Sequence, residues 1–289
     1  SRSRTEFARR ASKALRCEVE AVDAALLALV VQAEAAAEEA ESEPDPTAVP
    51  EMTEAERAEA LALLKREDLL EQIGRLVTHI TDAFTVRLIQ LAEAELGAAP
   101  MRYAWIAFGS QAREEQTART DQDNGLVLEG RAEGEDAEYF EKLATFVCDG
   151  LDRLGYVYCP GEIMALNTKW RVSLQAWKRH FDRWIDEPDP KSVMHSSIFF
   201  DMRCVHGRRK LVNKFLRYET ERAKANRIFR RFMAANVLGH RPPIGFFRRF
   251  VQEDDGSQSE GLNLKHRGIV PITDLVRMRA LEGGVQYAN

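Results

Sequence analysis

The chain has no apolar run long enough to cross a membrane, which sets aside a membrane-spanning role. Its four cysteines, Cys17, Cys148, Cys159 and Cys204, are scattered and form no metal-ligand spacing. The six histidines show no paired spacing for zinc. A reduced, cytoplasmic setting is the expectation. A secretory apolar segment, an initiator Met and internal repeats are all missing, so the sequence is expected to be a piece of a longer protein. An excess of positive charge is missing too. The net charge is −5, and nucleic acid is therefore not an expected partner. The balance is uneven, however. Residues 1–100 carry 11 Lys+Arg against 20 Asp+Glu, leaving the remainder at +4, a mild basicity that suits a polyphosphate ligand.

What is present is an ordinary globular composition, 45% hydrophobic and 30% charged over 289 residues, enough for one large or two modest domains. Residues 5–40 read as an Ala/Glu-rich helix. Three prolines and acidic charge make 41–51 a linker. Thr53 with Glu56 forms a capping box that opens a longer helical region, and Gly97 ends it. Its stripe of Leu69, Ile73, Leu76, Ile80, Phe84, Leu88 and Leu91 is expected to be the packing face. Tyr103 to Phe108 and Leu126 to Leu128 read as short buried strands. Phe140, Leu143, Val147, Leu151 and Leu154 predict an amphipathic helix ending at Gly155, followed by a short strand from Tyr156 to Cys159. Trp170, Leu174, Trp177, Phe181 and Trp184 read as a helix face in a core. Ser196 to Gly207 reads as a strand. Beyond it the chain reads as helical to about residue 238, with a turn at 239–245 leading into Phe246 to Val251. The expected parts are 1–51 (acidic helix and linker), 52–97 (helical lead-in), 98–207 (core) and 208–289 (mostly helical). The class is α+β.

The most informative stretch is Gly109-Ser110-Gln111-Ala112-Arg113-Glu114-Glu115, followed by Thr120-Asp121-Gln122-Asp123-Asn124. A chain leaving a strand at Gly-Ser can turn backbone N–H groups toward a phosphate. Residues two apart on a strand point the same way, so Asp121 and Asp123 would aim both carboxylates at one spot. Two hard oxygen donors beside a phosphate cradle are what a magnesium–nucleotide complex needs.

Gly-Ser-x-x-Arg-x-Glu followed by Thr-Asp-x-Asp resembles the signature of the polymerase-beta-like nucleotidyltransferases. It is closest to the branch with the uridylyltransferase that modifies the PII nitrogen-signalling protein. Downstream, Tyr158-Cys159-Pro160-Gly161-Glu162-Ile163-Met164-Ala165-x-Asn167-x-x-Trp170-Arg171 and Ser197-Ile-Phe-Phe-Asp201-x-Arg203 are similar to the nucleotidyltransferase family usually found behind a pair of CBS domains. So are Gly245-Phe-Phe-Arg248 and Leu262-Asn-Leu-Lys265-x-x-Gly268-Ile-x-Pro271-Ile272. The resemblance covers roughly residues 60–289. It implies a polymerase-beta-like core, a small mixed sheet with helices, flanked by N-terminal helices and a helical C-terminal domain. It also implies upstream CBS domains and a role in signal transduction.

The same resemblance gives roles to single residues. Gly109 and Ser110 hold the nucleoside triphosphate's phosphates, with Arg113 neutralising them. Asp121 and Asp123 hold Mg2+ or Mn2+. Asp201 is the third carboxylate, helping to deprotonate the attacking hydroxyl or completing the second metal site, with a structural Asp201–Arg203 pair as the alternative. Thr120 and Asn124 belong to the nucleotide site by shaping its turn, and Glu115 pairs with Arg113 or Arg119. Asn167, Lys169 and Arg171 touch base, ribose or acceptor, while Cys159 is a small core residue. The implied activity is transfer of a nucleoside monophosphate to a hydroxyl of a protein or small molecule, releasing pyrophosphate. The alternative is a catalytically silent nucleotide-binding regulatory module.

Overall fold

A computed structural model describes residues 67–117, 120–188, 198–239 and 268–285, with the side chains of 67–70 outside the description. The helix at 5–40, the linker, the Thr53–Glu56 cap, Arg119, the start of the 196–207 segment and, from residue 240, the expected 239–251 turn and continuation lie outside the described residues. So do the family-like stretches 245–248 and 262–267. The account below concerns the unit Asp68–Asn289.

In chain order the elements are α1 (Glu67–Leu96), β1 (Tyr103–Phe108), α2 (Gly109–Ala112), β2 (Asn124–Leu128), α3 (Glu135–Arg153) and β3 (Arg171–Ser173). They continue with α4 (Leu174–Asp186), β4 (Met202–Gly207), α5 (Arg209–Ala225), α6 (Arg227–Gly239) and α7 (Val270–Gly283). The strands form one mixed sheet in the order β3-β2-β1-β4. β1 runs antiparallel to β2 and β4, and β2 runs parallel to β3. All residues of β1 and β2 are buried, as continuous apolar runs in a sheet covered on both faces should be. The class is α+β, as expected.

Helix α1 ends at Gly97, whose N–H bonds the Glu93 carbonyl at 2.9 Å. Its buried line is shifted from the expected stripe, which shares Leu88 with it and has Ile73, Ile80, Phe84 and Leu91 half-buried at its edge. Val77, Thr78, Thr81, Thr85, Leu88, Ile89 and Ala92 face the core, whereas Leu76 is 42% exposed. Threonine hydroxyls make this possible by turning back on the helix. Thr81 Oγ1 donates to the Val77 carbonyl at 3.0 Å and Thr85 Oγ1 to the Thr81 carbonyl at 2.8 Å, so two of the three buried hydroxyls are satisfied within the helix, while Thr78 Oγ1 has no partner among the described residues. Gly150 on α3 lets that helix close on Leu88, since a Cβ there would lie 2.5 Å from Leu88 Cδ2.

The aromatic stripe is core, as expected, but its helix begins later. Ser173 Oγ accepts from Ala176 N and caps α4 at Leu174. Trp170 therefore precedes a three-residue strand that helical periodicity concealed. Trp170, Trp177, Trp184 and Phe199 cluster, with Phe199 4.4 Å from Trp170 and 5.1 Å from Trp184 between ring centroids. Trp177 also donates from Nε1 to the Leu126 carbonyl at 2.9 Å, fastening α4 to β2.

Two strand expectations are corrected. The Tyr156–Cys159 segment makes only an isolated bridge, Val157 with Asp121. The 196–207 strand begins at Met202, after a helical turn over 198–200, so Asp201 stands just before β4 rather than within a strand. The long helical reading after Gly207 breaks at Asn226, whose Oδ1 accepts from Ile228 N and Phe229 N and starts α6 afresh.

Candidate active site

Residues 121–124 show how the sequence presents its carboxylates. Gln122 is buried, and its Nε2 donates to the carbonyls of Cys148 at 3.0 Å and Tyr156 at 2.8 Å. Pinning Gln122 inward directs its neighbours Asp121 and Asp123 to the other side, by the two-residue alternation of extended chain. The backbone is held on both flanks. Phe108 N donates to the Asp123 carbonyl, Gln122 N to Val157 and Asn124 N to Ile163.

The convergence expected of Asp121 and Asp123 is present, and Cys159 joins them. Ligand atoms of the three lie within 4.8 Å of one another, the one such group of three found among the described residues. Cys159 is placed there by the 159–165 loop, whose Cys159 N contacts Met164 Sδ and whose Glu162 N bonds the Cys159 carbonyl. Burial, and then the Asp123 charge, push its thiol up to about 11. It is therefore a protonated neighbour at neutral pH. Two carboxylates fit a hard divalent cation such as magnesium or manganese, and a neutral thiol is a poor ligand for one. The sequence had offered Cys159 only as a core residue; its signal was its place in the Tyr158-Cys159-Pro160-Gly161 motif.

Gly109 lies against this pair. It has φ +55°, and a Cβ built on it would lie 3.5 Å from Asp123 Oδ2. Glycine thus supplies both the left-handed turn from β1 into α2 and open space beside the carboxylate. Its own N–H is already used, donating to the Asp201 carbonyl at 3.1 Å. Glu114, also left-handed at φ 59°, folds the loop back so that Glu115 N bonds the Ser110 carbonyl at 2.9 Å.

Asp201 is brought to the same end of the sheet but not into the carboxylate–thiol group. Its carboxylate is taken by two arginines. Arg113 Nη1 bonds Oδ2, and Arg277 from α7 grips both oxygens, through Nε at 3.0 Å and through Nη2. Arg277 also bonds Asp274, which receives Asn236 Nδ2 at 3.3 Å. Arg113 further donates to Glu115 at 2.8 Å, the pairing expected of Glu115. Beside Asp201, Glu219 on α5 is buried, and its Oε2 has no partner among the described residues. Desolvation, and then the Asp201 charge, raise the Glu219 carboxyl well above the usual carboxylate range. Arg277 sits 76 residues from Asp201, and no sequence signal linked them.

The remaining candidates are mostly structural in their contacts. Arg203 does not pair with Asp201. It grips Asp82 of α1 at 2.6 and 3.0 Å and the Gln111 carbonyl at 3.0 Å, locking α1, α2 and β4 together. Asn124 is buried, with Oδ1 accepting from Ala165 N at 2.8 Å. Thr120 Oγ1 bonds the Asp121 carbonyl at 3.3 Å. Asn167 caps its own loop by accepting from Lys169 N at 3.0 Å.

Comparison with protein families fits this geometry. The model described as Putative nucleotidyltransferase DUF294 matches residues 55–191, and that described as Putative nucleotidyltransferase substrate binding domain matches 227–289. Together they span more than half of the chain. The chain belongs to this nucleotidyltransferase family. Among curated proteins no significant match was found. In family terms, Gly109, Arg113, Asp121, Asp123 and Cys159 lie in the first matched region and Arg277 in the second, so the Asp201 ion-pair network ties the two regions together. Among the described residues no helix is long and apolar enough to cross a membrane.

Proposed function

We propose that this chain is a divalent-metal-dependent nucleotidyltransferase that passes a nucleoside monophosphate from a triphosphate to a hydroxyl acceptor. The observation that carries this reading is the convergence of Asp121 and Asp123 beside the open turn at Gly109, in a member of this family. Asp121 and Asp123 would hold Mg2+ or Mn2+, which supplies positive charge against the phosphate oxygens. Ser110 offers its N–H and hydroxyl to the phosphates. Arg113 is tied to the turn by its backbone N–H, which bonds the Gly109 carbonyl at 3.0 Å, and its guanidinium would exchange Asp201 for a phosphate oxygen, a charge-assisted contact of the same kind. The acceptor oxygen bonds to the α-phosphorus while the bond to the bridging oxygen breaks, and pyrophosphate leaves with that electron pair.

The proton of the acceptor needs a destination, and Asp201 is the candidate. In the present arrangement both its oxygens carry guanidinium donors, so Asp201 positions Arg113 and Arg277. It becomes available to a hydroxyl only when Arg277 moves away. The match of residues 227–289 to a substrate-binding domain supports an acceptor site on the helices that carry Arg277. The acceptor is a protein side chain or a small molecule, in a cytoplasmic signalling protein whose upstream CBS domains act as sensor.

The second reading is a silent nucleotide-binding regulatory module, and the full engagement of Asp201 favours it. Incubation with each of four α-labelled triphosphates, Mg2+ or Mn2+ and cell lysate separates the two. Label on a protein or small molecule, absent with Asp121→Asn/Asp123→Asn, establishes transfer. Triphosphate binding without label transfer or pyrophosphate release establishes the module.

A further inference from the structure

At the other end of β2 from the carboxylate pair lies a cleft of about 370 Å³ between β3, α3 and α4. That volume is in the range of small-molecule sites. Three arginines, Arg131, Arg171 and Arg179, line it against one carboxylate, Glu141, while Leu128, Phe140 and Val172 add apolar wall.

Arg171 is the informative residue. Its side chain is only 7% exposed, yet the one carboxylate near it among the described residues is out of hydrogen-bond reach: Nη2 lies 3.8 Å from Glu141, which is itself 66% exposed. Nη1 is committed to the carbonyls of Ala165 at 2.7 Å and Leu166 at 3.0 Å. A buried guanidinium so placed carries charge that no hydrogen-bonded anion balances, a costly state. Burial correspondingly lowers its pKa, Glu141 offsetting only part of the effect. Guanidinium forks match carboxylate and phosphate oxygens, and Arg179 stands at the cleft as a further donor, whereas the exposed Arg131 is paired with Glu133 at 2.7 Å.

We propose that this cleft binds a small organic oxyanion, a carboxylate or phosphate, through Arg171 with Arg179. The site is distinct from the carboxylate pair. Asp123 precedes the first residue of the five-residue β2 and Leu128 ends it, roughly 15 Å along the strand. The two ends are nevertheless connected. Arg171 holds the Ala165 carbonyl, Ala165 N holds Asn124 Oδ1, and Asn124 follows Asp123. An anion drawing on Arg171 therefore acts on the loop that frames the carboxylates, as an effector would. The binding claim stands independently of the nucleotidyl-transfer reading.

Trp170, adjacent to Arg171, provides the readout. The full chain is titrated with inorganic phosphate and, separately, with benzoate, at constant ionic strength against sodium chloride, following tryptophan fluorescence. The expected result is a saturable change with at least one probe, which names the anion class. It should be weakened at least tenfold by Arg179→Gln and by Ala176→Met, which fills the cleft, and retained in Asp121→Asn/Asp123→Asn. Arg171→Gln should abolish it. If that variant fails to fold, the other two carry the test without it. Responses equal to chloride for both probes overturn the proposal. So does saturation that survives Arg179→Gln and Ala176→Met but disappears with the Asp pair, which would place the anion at the Gly109 turn.

Discussion

Replacing Arg277 by methionine removes the centre of a buried charge network while keeping much of the side-chain volume. Arg277 donates through Nε and Nη2 to Asp201 and through Nη1 to Asp274, and all three side chains are at most 8% exposed. Without it, among the described residues, Asp201 keeps Arg113 alone and Asp274 keeps the amide of Asn236 alone. Breaking a buried pair by removing one partner costs about 3–5 kcal/mol, because the other charge stays buried without compensation. For a domain of this size that corresponds to a fall in Tm of roughly 10 °C. The internal control is two residues along the same helix. Arg279 pairs with Glu282 at 2.9 Å, but the two side chains are 71% and 53% exposed, so Arg279→Met should cost well under about 1 kcal/mol. Urea denaturation of the wild type and both variants gives the comparison. Adding Asp201→Asn to Arg277→Met should recover part of the loss, since one stranded charge is then removed. Equal stabilities for Arg277→Met and Arg279→Met would refute the claim that a charge network anchors α7 to the site.

Glu219 gives a pH prediction. The folded protein keeps this proton, whereas the unfolded chain releases it near the ordinary value of 4.5. Stability attributable to it is therefore full below about pH 4.5 and falls, by up to about 1.4 kcal/mol per unit, as pH rises toward the raised folded value. Stability curves of Glu219→Gln and wild type should converge near pH 4 and separate toward pH 7, with the variant the more stable; parallel curves would contradict this. Gly109→Ala should cost only about 1 kcal/mol for its left-handed φ. Because its methyl would stand 3.5 Å from Asp123 Oδ2, triphosphate affinity with Mn2+ should fall at least tenfold by calorimetry, and unchanged affinity would remove Gly109 from the site. Asn124→Ala leaves Ala165 N without its acceptor and should lower stability by about 1–3 kcal/mol in chemical denaturation.

The parts of the molecule legible in sequence are those where one physical signal dominates. β1 and β2 are continuous apolar runs bounded by turn residues, and α3 has a clear stripe ending at Gly155. The convergence of Asp121 and Asp123 followed from two-residue alternation, with buried Gln122 supplying the anchor. Where signals competed, the reading missed. In α1 the core face includes Thr81 and Thr85, whose hydroxyls bond their own helix, so a count of apolar residues placed the packing face to one side of the true one, with Leu88 common to both. β3 was hidden because Trp170 and Trp177 are separated by helical spacing although three strand residues intervene. The Tyr156–Cys159 run looked like a strand but makes a single bridge. Partners of Asp201 could not be read at all, since Arg113 and Arg277 reach it only through tertiary folding.

The central claim is that Asp121, Asp123 and the Gly109–Ser110 turn together form a metal–triphosphate site. Calorimetric titration of the purified chain with each triphosphate, with and without Mn2+, beside Asp121→Asn/Asp123→Asn, tests it most directly. The account predicts binding of at least one triphosphate that depends on Mn2+ and is weakened tenfold or more in the variant, with the variant's fold intact by circular dichroism. Binding of equal strength with and without Mn2+, or unchanged by loss of both carboxylates, would contradict it.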